Sequence, residues 1–341
     1  MSQNPAEALP PSMQLIQMAM GHWVSHIIHL AAELELADHL AKGPKTAEEL
    51  AGATKTHAPS LYRFLRTLSS LGVFAEDGSR RFGLTPMGEA LRTGAPGAAR
   101  PTILTFASEY FFKGYREFRY SLETGKPAFE KALGMPIFDW LGQHPKEASM
   151  FSETMVGFHG MEPPAVAAAC DFSGMKTIVD VGGATGNLLT AVLGKASGAK
   201  GVLFDMPHVV KDAPGLLQSK GMTDRVKIES GSFFDRVPSG GDAYLLSHII
   251  HDWSEAQCLT ILGNVRKAMN PGGRILIVEM VLPTGNTPHP GKMLDLMMLI
   301  GPGGQERTEE EYAALLQKAK LKLTRVIPTQ SPVSVVEAVQ A

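Results

Sequence analysis

His251 stands where an imidazole can do proton chemistry. It follows the apolar run AYLLSHII, read as a strand, and precedes a helix capped by Ser254. That puts it at the carboxyl end of a sheet strand, where open α/β sheets bind their ligands. A neutral imidazole there can take the proton of a bound hydroxyl, provided an acceptor holds its other nitrogen. Two carboxylates come into question. Glu279 ends the next strand-like run, RILIVEMVLP, at the same sheet edge, and Glu306 in GGQERT precedes a helix capped by Thr308. Read alone, Glu279 is equally a strand-end surface residue and Glu306 a solvated acid near a helix start. Asp252 either touches a substrate or assists the helix N-terminus that follows it.

The second chemical element is Val179-Asp180-Val181-Gly182-Gly183-Ala184-Thr185-Gly186, which closes the first strand of this half. Glycines let backbone approach a ligand closely, and the helix that follows offers free N–H groups. The loop is not a dinucleotide fingerprint. Gly182 and Gly183 are adjacent, and Ala184 stands where G-x-G-x-x-G needs its second glycine. The next strand ends LFDMP, which places Asp205 where an α/β fold presents an acid to ribose hydroxyls.

The elements that must position these residues follow from the apolar spacing. From Thr177 the runs TIVDVGG, GVLFDMP, VKIESGSFF, AYLLSHII and RILIVEMVLP alternate with helix-length segments. This pattern predicts an α/β fold with a doubly wound, largely parallel sheet. LKLTRVIP and SVVEAVQA are separated by too few residues for a crossover helix, so they form an antiparallel hairpin at one edge. The first half is mostly helical, with Trp23, Ile27, Leu30 and Leu34 on one face. Thr46 and Glu49 make a capping box, Pro59 opens a helix carrying Leu61, Leu65, Leu68 and Leu71, and VFAEDGSRRFGLT gives two short strands. Helix, helix and ribbon together resemble a winged helix.

Charge decides against one use of that module. The 341 residues carry 32 Lys+Arg against 34 Asp+Glu, a net −2, without the basic excess that nucleic acid or an anionic membrane surface requires. Two cysteines exclude a disulfide scaffold and fit a reducing, cytoplasmic setting. The start MSQNPAEALPPS lacks the basic and apolar regions of a secretory leader. Asp295 interrupts the longest apolar run, 293–300, so no membrane span is expected. No metal site is expected either. His248 and His251 lack a Glu-x-x-His context, and His22, His26 and His29 read as a polar stripe on a helix.

These segments resemble the S-adenosylmethionine-dependent methyltransferases. With His251-Asp252-Trp253 added, they resemble the small-molecule O-methyltransferases typified by plant caffeate and isoflavone enzymes and by bacterial phenazine and polyketide enzymes. The likeness runs through GMPIFDWLGQHPKEASMFSETM, DVGGATG, FDMPHV, LSHIIHDWSEAQC, NPGGRILIVEMVLP and GGQERTEEEY, and so covers nearly the whole chain. It implies a winged-helix dimerisation domain over 1–100 and a catalytic domain over 101–341, in which 101–170 is a helical linker and pocket region. It further implies a homodimer, S-adenosylmethionine as cofactor, and a role in secondary metabolism.

Residue by residue, the resemblance makes His251 the base, with Glu279 and Glu306 flanking and holding it. Asp180, Gly182 and Gly183 would line the methionine and ribose side of the cofactor, Asp205 would take the ribose hydroxyls, and Met206 would pack near adenine. Gly231, Ser232 and Phe233 would follow on the adenine side, where Ser232 replaces the family's usual Asp. Ser247 stands where many relatives carry Lys. Both replacements remove a charge. Met155, Phe158, His159, Met161, Asp252 and Met298 would contact the acceptor, an aromatic or polyketide-like hydroxyl compound. Two rivals are a cofactor-retaining decarboxylase or hydroxylase and a winged-helix regulator with a sensor domain. An intact His251 opposes the first, and the missing basic charge opposes the second.

Overall fold

The computed structural model describes residues 9–341; most of the start inspected for a leader lies outside them. Two compact units form. One comprises the described residues through Phe112 together with Leu141–Phe158, the other Lys113–Trp140 together with His159–Ala341. The chain thus passes between units three times rather than once near residue 100. In the first unit, helix Ala99–Phe106 packs on helix Pro145–Phe158, joined by a buried 2.8 Å hydrogen bond between the Thr105 and Thr154 hydroxyls.

The first unit carries the expected module. Helices Ala47–Thr54 and Ala58–Ser70 pack with the ribbon Phe74–Glu76 and Arg81–Leu84 around Leu36, Leu50, Leu65, Leu68, Phe74 and Phe82. Thr46 and Glu49 form the reciprocal capping box. The ribbon gains a third, two-residue strand, Lys45–Thr46, too short to show a period in sequence. The long helix Pro11–Glu33 buries only Ala31 and Ala32 fully, and leaves Leu15, Met18 and Trp23 between 56% and 75% exposed. Its polar stripe is occupied within the unit: His26 stacks on Phe112 and His29 Nδ1 lies 3.4 Å from the Ile103 carbonyl. Among the described residues no helix is long and apolar enough to cross a membrane.

The second unit is built on a seven-stranded sheet of β1 (Thr177–Val181), β2 (Lys200–Asp205), β3 (Val226–Ser230), β4 (Gly241–Ser247), β5 (Met269–Glu279), β6 (Leu321–Pro328) and β7 (Ser334–Gln340). The spatial order is β6-β7-β5-β4-β1-β2-β3. Strands β1 to β5 are parallel, while β7 pairs antiparallel with both β5 and β6, the edge hairpin expected from sequence. Alternate residues feed two cores. Ile178, Leu203, Leu245 and Leu276 meet Leu189 and Val192 on one face; Val179, Tyr244, Leu246 and Ile275 meet Ile261, Val265 and Leu316 on the other. Strand order reverses between β1 and β4, the switch point at which open α/β sheets form their ligand crevice.

Candidate active site

The loop after β1 is shaped by its own packing. Gly182 and Gly186 take φ of +71° and +90°, and the Gly182 N–H is bonded to the Phe204 carbonyl at 2.8 Å. A Cβ on Gly182 would collide with Ile249, and one on Gly183 would collide with the Asp180 carboxyl and Leu203. Both glycines are therefore required before any ligand arrives. At the end of β2, Asp205 Oδ2 accepts from the Ala184 N–H at 2.9 Å and Oδ1 from the Met206 N–H at 2.7 Å. Asp180 is 1% exposed, and neither carboxylate oxygen has a hydrogen-bond partner among the described residues. Burial, reinforced by the Asp205 charge, raises Asp180 to about 7.

The turn after β3 supplies the next wall. Gly231 sits against the Phe204 ring, where a Cβ would lie 3.1 Å from its edge. Ser232 Oγ accepts from the Phe234 N–H at 3.2 Å, so the residue that replaces the family's acid also ties its own turn. Phe233 meets Trp253 edge-on, and Asn264 on helix Glu255–Ala268 donates to the carbonyls of Phe233 and Phe234. Ser247 closes β4.

His251 lies on a single 3-10 turn, Ile250–Asp252, beyond β4. Its ring is 7% exposed, and Nδ1 is 2.6 Å from Glu306 Oε1. Glu279 does not take the ring. Its Oε1 accepts from the His251 backbone N–H at 3.1 Å, and its Oε2 accepts from the Tyr312 hydroxyl. The two carboxylates thus divide the work: Glu306 fixes the imidazole and Glu279 fixes the backbone beneath it. Arg307 donates to the Ile250 carbonyl, the Gln305 N–H bonds the His251 carbonyl at 2.9 Å, and Asp295 accepts from the Glu306 N–H at 2.9 Å. Gly304 passes so close to the His251 carbonyl that no side chain fits there. His251 Nε2 remains, 3.7 Å from Asp252 Oδ1. Burial opposes the imidazolium, but Asp252, the Glu306 hydrogen bond and Glu279 outweigh it and raise His251 to about 10.

A second polar group adjoins this one. Glu162 Oε1 is 3.0 Å from His159 Nδ1 and Oε2 is 2.7 Å from His248 Nε2, with the two imidazole centroids 3.8 Å apart and the rings tilted by 36°. Their donor atoms lie within 4.8 Å of one another, a spacing a divalent ion can bridge, but both nitrogen–oxygen distances are those of hydrogen bonds. Burial opposes the Glu162 charge, yet the bonds from His159 and His248 hold it down at about 2.

The other residues named from sequence are more scattered. Met298 is 9% exposed on helix Gly291–Ile300, whereas Met161 is 77% and Met206 41% exposed. Met155 and Phe158 belong to the first unit, on helix Pro145–Phe158, where Phe106 meets Phe158 edge-on. Sequence reading passed over Tyr312, Arg307, Asp295 and Glu162. Tyr312, Arg307 and Asp295 act through contacts made by tertiary folding, which leave no local pattern, whereas Glu162 joins both His159, three positions before it, and the distant His248.

Comparison with known proteins settles the family. The model of the O-methyltransferase domain matches residues 115–322, and that of the O-methyltransferase dimerisation domain matches residues 16–94. The chain belongs to the O-methyltransferase family. Among its relatives, a phenazine O-methyltransferase, PhzM, of Lysobacter antibioticus is 42% identical over 335 residues, covering 98% of both chains. O-demethylpuromycin-O-methyltransferase of Streptomyces alboniger is 37% identical over 95% of this chain and 88% of its own. Among solved structures, the mitomycin 7-O-methyltransferase MmcR superposes with a TM-score of 0.91 at 34% identity, covering 97% of this chain and 98% of that one.

This O-methyltransferase uses S-adenosylmethionine, and the crevice at β1 and β4 fits it. The ligand carries an ammonium and a sulfonium, and the crevice offers a buried carboxylate at Asp180 with no hydrogen-bond partner among the described residues. It also carries ribose hydroxyls, and Asp205 ends the neighbouring strand with its carboxylate already oriented by two backbone N–H groups.

Proposed function

We propose that this methyltransferase transfers a methyl group to a hydroxyl of an aromatic or polyketide-like small molecule, with His251 as the general base. The observation that carries this reading is the 2.6 Å contact of His251 Nδ1 with Glu306, which leaves Nε2 as the only ring nitrogen able to receive a proton. When bound, S-adenosylmethionine supplies an electrophilic sulfonium methyl. Asp180 would hold its methionine end, Asp205 the ribose hydroxyls, and Met206, Gly231, Ser232, Phe233 and Ser247 the adenine side. Everything else falls to proton management and alignment. A phenol has an ordinary pKa of ~10 and is mostly protonated at neutral pH. The raised His251 pKa makes its neutral form a strong base that becomes available as pH rises, and Glu306 supports the imidazolium that forms when Nε2 takes the proton. Asp252, His159, Met161 and Met298 would orient the acceptor ring, and thioethers suit flat apolar faces.

We infer, too, that the enzyme works as a homodimer, supported by the dimerisation-domain match and by the exposed Leu15, Met18 and Trp23 of helix Pro11–Glu33. The direct test of the activity is incubation with methyl-labelled cofactor and a panel of phenols, phenazines and flavonoids. Label recovered as an aryl methyl ether supports the reading, and label on none of the aromatic hydroxyls overturns it.

A further inference from the structure

His248 is a buried titratable group beside the base that the chemistry above leaves unused. It sits in the loop between β4 and the turn of His251, and its ring centroid is 5.1 Å from that of His251. Three contacts fix it. Its backbone N–H is bonded to the Val278 carbonyl at 3.1 Å, its ring lies tilted against that of His159, and its Nε2 meets Glu162 Oε2 at 2.7 Å. An ionised carboxylate can only accept, so Nε2 carries the proton and Nδ1 keeps a bare lone pair. That Nδ1 is buried without a partner among the described residues. The residue also takes φ of +54°, a left-handed backbone that non-glycine residues adopt uncommonly. Burial lowers the imidazole to about 4 despite the neighbouring carboxylate, in keeping with a neutral ring.

Resting on the assignment of His251 as base, we propose that His248 is a recognition residue whose Nδ1 accepts a hydrogen bond from a second donor on the acceptor. That donor is a hydroxyl or amino group on the ring carbon next to the methylated hydroxyl. Two imidazoles at this separation serve two neighbouring oxygens: one proton goes to His251 as the methyl arrives, and the other stays shared with His248. The favoured substrates are therefore vicinal dihydroxy or amino-hydroxy aromatics rather than simple phenols. Glu162 is the positioning residue, since it fixes the tautomer that keeps Nδ1 an acceptor.

The test compares an ortho-dihydroxy aromatic with the same ring lacking the second hydroxyl, in wild type, His248→Phe and His248→Asn. The wild type should prefer the dihydroxy ring by about 10-fold in kcat/KM, expressed mainly in KM, as for one buried hydrogen bond. His248→Phe should lose that preference. His248→Asn offers an amide oxygen near the position of Nδ1 and tolerates the left-handed backbone, so it should keep most of it. The proposal is overturned if the wild type shows no preference, if His248→Phe retains it, or if His248→Asn loses it as fully as Phe. Nitrogen NMR of His248 gives a reading without turnover: a proton on Nδ1 in the free enzyme would contradict it. His251→Ala separates the two assignments. Full activity there with discrimination lost in His248→Phe sinks the base alone, and the reverse pattern sinks the recognition role alone.

Discussion

Glu306 places one carboxylate oxygen 2.6 Å from Nδ1 of His251, while its other oxygen is buried with no partner among the described residues. The pair is thus one-sided. The whole of that charge is directed at one imidazole, and exchanging the carboxylate for an amide keeps the shape but removes the support for the imidazolium. Glu306→Gln should lower kcat by roughly 10-fold or more. It should also move the ascending limb of kcat/KM toward lower pH. The sign follows from linkage: Glu306 raises the His251 pKa, so its loss lowers it, and the neutral base then forms earlier as pH rises. In the wild type that limb should lie above the ordinary histidine value of ~6.5. A pH–rate profile of both proteins checks this, and an unmoved limb would detach Glu306 from the base.

Asp180 should show a trade between stability and binding. Its folded value of about 7 exceeds the ordinary 3.8, so folding favours the protonated form. Stability is therefore lost as pH climbs from about 4 to 7, and the full cost remains above. Asp180→Asn should raise the unfolding temperature of the ligand-free protein at pH 8, with little effect near pH 4, and still weaken cofactor binding by roughly 10-fold or more. Scanning calorimetry at the two pH values and a binding titration measure both halves. Equal unfolding temperatures at pH 8 would contradict the buried, unpaired charge.

Asp205→Ala should weaken S-adenosylmethionine binding by about 1.5–3 kcal/mol, the worth of a hydrogen bond to a charged group. Because Asp205 also anchors the Ala184 and Met206 N–H groups, the loop after β1 should exchange its amide protons faster. Calorimetric titration with no loss of affinity would reverse the proposed orientation of the cofactor.

Much of this arrangement could be read from sequence, for identifiable reasons. The central parallel strands β1, β4 and β5 are buried on both faces, which writes continuous apolar runs, and the short link between β6 and β7 allows only a hairpin. Residues at strand ends were found because sheet topology brings strand ends together: Asp180, Asp205, His251 and Glu279 all lie there. What escaped were contacts that the fold makes and no period encodes. Tyr312 is on a helix, where it reads as plain core, yet its hydroxyl meets Glu279. Glu162 is 86 positions from His248 and joins it only once the strands are assembled. The division of labour between Glu279 and Glu306 was equally hidden, since spacing does not distinguish a carboxylate on a ring from one on a backbone N–H.

Replacing Met18 and Trp23 together by Glu should turn a dimer into a monomer, because both side chains are more than half exposed on a helix within the dimerisation-domain match. Sedimentation at micromolar concentration resolves it. An unchanged sedimentation coefficient would place the interface elsewhere.

The most direct measurement is the turnover of His251→Ala on two acceptors at one pH. One is a phenol of ordinary pKa; the other carries electron-withdrawing groups and is already ionised. If His251 removes the proton, kcat on the ordinary phenol should fall by about 10²–10⁴-fold, while the ionised acceptor loses far less and cofactor affinity stays nearly unchanged. An equal loss on both acceptors, or none on either, would contradict the assignment of His251 as the base.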